Sequence, residues 1–95
     1  MRMRGAASRV DQNHRQIVNE LRQAKILVLD LSSLGKGAPD IAVGHGGKVH
    51  LFEIKNPKRK YSLTRKEGFL HLAWDGYVHV IESSGDALRI MGVGA

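Results

Sequence analysis

Two β-rich runs, Ile41–Val43 and Val49–Ile54, flank Gly44-His45-Gly46-Gly47, and a gap this short and this rich in glycine allows little other than a tight hairpin. A hairpin makes the two runs antiparallel, and its loop length decides which side chains share a face. Along the second run, alternation puts Glu53 and Lys55 on one face and Ile54 on the other. Pro39-Asp40 stands just before the first run, with twelve residues between Asp40 and Glu53. An even number of loop residues sets Asp40 opposite Leu51 or Glu53 and on their face. An odd number pairs it with Phe52 and turns it away. Two-residue turns containing glycine are the commonest connection, and His45-Gly46 would serve as one.

The rest of the chain supplies elements to pack on that hairpin. From Asn13 to Ala24 the apolar residues Ile17, Val18, Leu21 and Ala24 recur at helical spacing. Ile26–Leu31 reads as a strand, and residues 32–38 have loop composition. After the break at Asn56-Pro57, Thr64-Arg65-Lys66-Glu67 is a capping box for a helix through Phe69, Leu70, Ala73 and Trp74. Tyr77–Ile81 is a further strand, and Ser83 or Ser84 caps a last helix from Asp86 to Met91, closed by Gly92. The predicted order is α-β-β-β-α-β-α, an α/β fold with a small mixed sheet flanked by helices. At 95 residues the chain is expected to form one domain over residues 10–95, preceded by a flexible basic arm over residues 1–9.

The absence of cysteine excludes disulfides, zinc ribbons and thiol nucleophiles, so any metal must be held by oxygen or imidazole. Lys and Arg outnumber Asp and Glu by 15 to 9, a balance suited to a polyanion such as nucleic acid. No run is apolar enough for a membrane span, and Met1–Ala7 is basic without the apolar stretch of a secretory signal, so a cytoplasmic protein is expected. Glu-x-Lys on a strand is by itself an ordinary surface pair, and Pro-Asp an ordinary turn. Brought together by a hairpin, two carboxylates repel unless a cation lies between them, and hard oxygens favour Mg²⁺ or Mn²⁺. A lysine two positions on would orient a water or offset charge developing at phosphorus.

Pro39-Asp40 and Glu53-Ile54-Lys55, set after a helix and before Leu63-Thr64-Arg65-Lys66-Glu67, resemble the PD-(D/E)xK nuclease superfamily. Within it the chain is similar to the virus-type replication-repair nuclease (VRR-NUC) domains of phages. The likeness runs through Arg9-Val10-Asp11-Gln12-Asn13, Ile17-Val18, Leu21-Arg22, Gly35-Lys36-Gly37, Trp74 and Gly76. It implies a restriction-endonuclease-like α-β-β-β-α-β core and metal-dependent hydrolysis of phosphodiester bonds in DNA. Stand-alone members of this size resemble Holliday junction resolvases acting as homodimers on branched DNA, here in a bacterial host if the source is a phage or prophage. The alternatives are a nuclease for flaps, nicks or ends, and a DNA-binding module weak in catalysis.

On this resemblance Asp40 and Glu53 bind metal, with the Ile54 carbonyl as a further oxygen ligand and Lys55 as the catalytic lysine. Related resolvases complete the site with a glutamate on the first helix. His14 takes that position here, as a ligand, a water contact or a core-edge histidine, and Glu20 is the other candidate for the missing acid. Glu67 matches a polar residue of the second helix. Lys36, Lys58, Arg59, Lys60, Arg65 and Lys66 are the residues expected to meet DNA. Gly35-Lys36-Gly37 lacks the P-loop spacing. Phe69 and Trp74 are read as core, and no role falls to His45, His50, His71 or His79.

Overall fold

The computed structural model describes residues 12–35, 37–58 and 78–94. Helix α1 spans Gln12–Gln23, followed by β1 (Leu27–Asp30), β2 (Ile41–His45), β3 (Lys48–Ile54), β4 (Val78–Ile81) and α2 (Ser84–Met91). The sheet order is β1-β2-β3-β4, antiparallel across the first three strands and parallel between β3 and β4. This is the small mixed sheet with packed helices that the sequence predicts. The expected helix over residues 64–74 lies outside the described residues.

Each described element follows from local chemistry. The helical stripe Ile17, Val18 and Leu21 is buried, while residues between them face out. After Gln23 the chain turns sharply: the Lys25 N–H donates to the Arg22 carbonyl and the Ile26 N–H to the Leu21 carbonyl. This is the double bond of a Schellman motif, with Ile26 folding back toward Leu21 and Lys25 in the left-handed region at φ 66°. Ser83 caps α2 by accepting the Asp86 N–H, and Gly92 ends that helix in the left-handed conformation. The sequence placed both signals, although the helix begins at Ser84 rather than Asp86.

The hairpin differs in one respect from the turn proposed above. His45 pairs with Lys48, so the two turn residues are Gly46 and Gly47, not His45 and Gly46. Both glycines have positive φ, 60° and 78°, as a type I′ turn demands. An L side chain at the first of those positions would be strained, which is why the turn settles on the glycine pair.

One core unites these elements. Val28, Ile41, Val43, Phe52, Ile54 and Ile81 point from the sheet toward α1, where Ile17, Val18 and Leu21 meet them, and Ala87 of α2 closes the end. Phe52, Ile41 and Ile81 are fully buried, so the centre of β2-β3-β4 is the rigid platform of the molecule. The functional candidates stand where β2 and β3 leave that platform.

Candidate active site

The Gly46-Gly47 turn sets the register that matters. Ile41 pairs with Phe52, and one more step along the two strands sets Asp40 beside Glu53 rather than Leu51. The backbone then departs from a regular ladder. Asp40 donates its N–H to the Phe52 carbonyl on β3 (3.0 Å), yet its own carbonyl accepts from the Leu31 N–H on the β1 side (2.8 Å). In an extended strand both groups of one residue face the same neighbour, so the chain kinks at Asp40, much as at a β-bulge. The kink brings the carboxylate across the gap, where Oδ2 accepts the Ile54 N–H at 2.7 Å. A side chain thus satisfies the last amide of β3, which β2 has already left behind.

Glu53 and Lys55 occupy the other face of β3 from Phe52 and Ile54, as alternation requires. Glu53 is 3% exposed, a costly position for a carboxylate unless a cation answers it. Lys55 Nζ lies 3.6 Å from Glu53 Oε2, within ion-pair range but longer than the ~2.7–2.9 Å of a direct charge-assisted bond. Asp40, Glu53 and Lys55 are therefore gathered at one fork: Asp40 on the Ile54 amide, Glu53 immediately before that amide and Lys55 immediately after it.

The strand ends are tied to α1 by a residue to which sequence reasoning gave no role. Asn13 Nδ2 donates to the Lys55 carbonyl at 2.9 Å and to the Glu82 carbonyl at 3.3 Å. The Lys55 N–H in turn donates to the Ile81 carbonyl on β4 (3.0 Å). One carboxamide thus locks the ends of two parallel strands and fixes the backbone that carries Lys55. Its signal was faint: Asn13 lies one turn before Ile17, at the edge of the buried stripe.

His14 is buried and its Nε2 lies 3.0 Å from Asp30 Oδ2 on β1. Asp30 also accepts the Ser32 N–H at 3.0 Å and the Ser32 hydroxyl at 2.6 Å. Partial burial works to raise the Asp30 pKa, but the Ser32 bonds and His14 outweigh it and hold the carboxyl below its ordinary value. A signal for this pair was available, because Asp30 follows Val28 by two and so sits on the inward face, where an acid needs a partner. Glu20 is exposed and accepts from Ser84 Oγ at 2.7 Å and from Gln16 Nε2 at 3.2 Å, bonds that lower its pKa. Among the described residues no three His, Asp or Glu side chains form a group that could hold a metal ion, so neither His14 nor Glu20 joins Asp40 and Glu53 in one.

Ile54 is tied to the site through its amide, as above. Lys58 is exposed, and its N–H donates to Asn56 Oδ1 at 2.9 Å in a tight turn just past Lys55. Gly35 and Gly37, on either side of Lys36, both have positive φ. Lys36, Arg59, Lys60, Arg65, Lys66 and Glu67 lie outside the described residues. No described helix is long and apolar enough to cross a membrane.

The structure therefore defines a mixed α/β domain bearing an Asp–Glu–Lys constellation at a strand fork. No family model, curated protein or solved structure matches this chain.

Proposed function

We propose that the protein is a divalent-metal-dependent endodeoxyribonuclease that hydrolyses phosphodiester bonds in branched DNA, in the manner of a Holliday junction resolvase. The observation that carries this reading is the fork itself, where the kink at Asp40 gathers its carboxylate, buried Glu53 and Lys55 around the Ile54 amide. The donor set fits Mg²⁺ or Mn²⁺. Such ions are commonly held by one or two carboxylates, with water and substrate phosphate completing the shell, so a third protein ligand is not required. When bound, the ion polarises the scissile phosphate and lowers the pKa of a water.

The chain's own residues divide the remaining work. Asp40 and Glu53 hold the ion, with the Ile54 carbonyl as a further oxygen. Lys55 orients the attacking water and offsets charge developing on phosphorus, while Asn13 fixes the Lys55 backbone. The net charge of +6 attracts DNA without regard to sequence. A homodimer completes the reading, because a two-fold pair of sites matches the symmetry of a four-way junction.

The test is cleavage of labelled four-way junction, flap and linear duplex with Mg²⁺, Mn²⁺ or EDTA, beside Asp40→Asn, with light scattering for the dimer. Paired nicks in the junction that need metal and vanish in Asp40→Asn support the proposal. Cleavage confined to flaps or ends keeps the site and removes the junction assignment. DNA binding with no cleavage under either metal overturns the enzyme and leaves a binding module.

A further inference from the structure

Beside the end of β3 lies a cleft of about 280 Å³, walled by Gln12, Asn13 and Gln16 of α1 and by Asn56, Pro57 and Lys58 of the following turn. Among the described residues its lining carries four carboxamides, one ammonium, the Pro57 ring and no carboxylate. Only part of their hydrogen-bonding capacity is used. Asn13 spends its two N–H groups on the Lys55 and Glu82 carbonyls, Asn56 its oxygen on the Lys58 N–H, and Gln16 an N–H on Glu20. The Gln12 carboxamide, the Asn56 Nδ2 and the Lys58 ammonium have no partner among the described residues.

Donors of this kind, with a single cation, suit a ligand carrying one negative charge spread over several oxygens. A phosphodiester is such a ligand, and contacts of Lys, Asn and Gln side chains with phosphate and sugar oxygens are the usual means of positioning a strand. The location adds a second argument. Asn13 lines the cleft and also holds the Lys55 carbonyl, so the cleft begins at the backbone of the lysine that serves the fork. We propose that this cleft binds the sugar-phosphate backbone of the DNA strand beside the scissile phosphate. Lys58 supplies the counter-charge, and Gln12, Gln16 and Asn56 give neutral hydrogen bonds that fix the strand's path. The proposal rests on the nuclease reading above and adds a subsite to it.

The experiment is fluorescence-anisotropy titration of a labelled four-way junction in EDTA, where no turnover occurs, with the full chain. Wild type is compared with the double variant Gln12→Ala/Asn56→Ala and with Lys58→Ala, each at several salt concentrations. Losing a neutral hydrogen bond weakens binding about fivefold, so the double variant is expected to bind at least fivefold more weakly with an unchanged salt slope. Lys58→Ala is expected to reduce the slope of log K against log[salt] by about 0.9, the value for one phosphate contact. Gln12 and Lys58 are exposed and Asn56 is half-buried, and thermal melts matching wild type confirm that folding is intact. Wild-type affinity in the double variant overturns the cleft while leaving the nuclease reading in place. Weakened binding by variants of a protein that never cleaves upholds the cleft and removes the nuclease. A wild-type protein that binds no DNA overturns both.

Discussion

Asp40 does two things at once, and substitution can separate them. Its carboxylate accepts the Ile54 N–H at 2.7 Å, and Ile54 is 8% exposed, so water is poorly placed to replace that acceptor. Asp40→Ala removes a charge-assisted bond and leaves a buried donor unmade, a loss of about 2–3 kcal/mol. Asp40→Asn keeps an oxygen for the amide and gives up only the charge, costing about 1 kcal/mol or less. In a domain of this size 1 kcal/mol corresponds to roughly 4–8 °C in Tm. The alanine variant is therefore expected to melt about 10–20 °C below wild type, and the asparagine variant within several degrees of it. Both are expected to lose metal-dependent cleavage, because neither offers a carboxylate to the ion. Urea unfolding and calorimetry on all three proteins make the comparison. Equal melting of Asp40→Ala and wild type would refute the claim that this carboxylate caps β3, and with it the account of the kink.

Three further outcomes follow from the same contacts. Lys25 holds a left-handed φ of 66°, which costs an L residue about 1–2 kcal/mol; allowing for the greater freedom of glycine in the unfolded chain, Lys25→Gly is expected to raise stability by about 0.5–1 kcal/mol, and an unchanged or lower urea midpoint would count against it. His14→Ala strips Asp30 of its buried imidazole partner and is expected to cost about 1–3 kcal/mol, which an unchanged urea midpoint would rule out. The carboxyls of Asp30 and Asp86 are both held low in the folded state. At Asp86 the Glu82 N–H is the main cause; at Asp30 burial opposes the shift but is outweighed by Ser32 and His14. Folded values below the unfolded one mean that the unfolded chain binds more protons. Their contribution is thus complete above the ordinary aspartate pKa of about 3.9 and is lost as pH falls through the lowered values. Stability is expected to fall as pH drops below about 4, and to fall less in Asp30→Asn together with Asp86→Asn; an equal fall in that variant would show the acid sensitivity to lie elsewhere.

What could be read from the sequence was whatever is decided locally. The stripe Ile17, Val18 and Leu21, the Ser83 cap and the Gly92 stop depend on neighbours a few residues away, and the structure carries all of them. The hairpin was legible as a hairpin, but its register was not, because Gly44-His45-Gly46-Gly47 offers more than one glycine-containing two-residue turn. The left-handed demand at both turn positions selects Gly46-Gly47, and that choice moves the partner of Asp40 from Leu51 to Glu53. The kink at Asp40 was hidden for another reason. It depends on hydrogen bonds to two different strands, which no periodicity records. Asn13 was hidden because its bonds reach across 42 and 69 residues of chain to groups that only folding brings near, whereas Asp30 carried a local sign in its place two residues after Val28.

Mn²⁺ binding followed by electron paramagnetic resonance tests, without DNA or turnover, whether Asp40 and Glu53 together hold a divalent ion at the strand fork. One Mn²⁺ site per chain is expected, displaced by Mg²⁺ and weakened at least tenfold by either Asp40→Asn or Glu53→Gln in proteins that remain folded. Binding that is absent from the wild type, or that persists unchanged in both variants, would contradict that assignment.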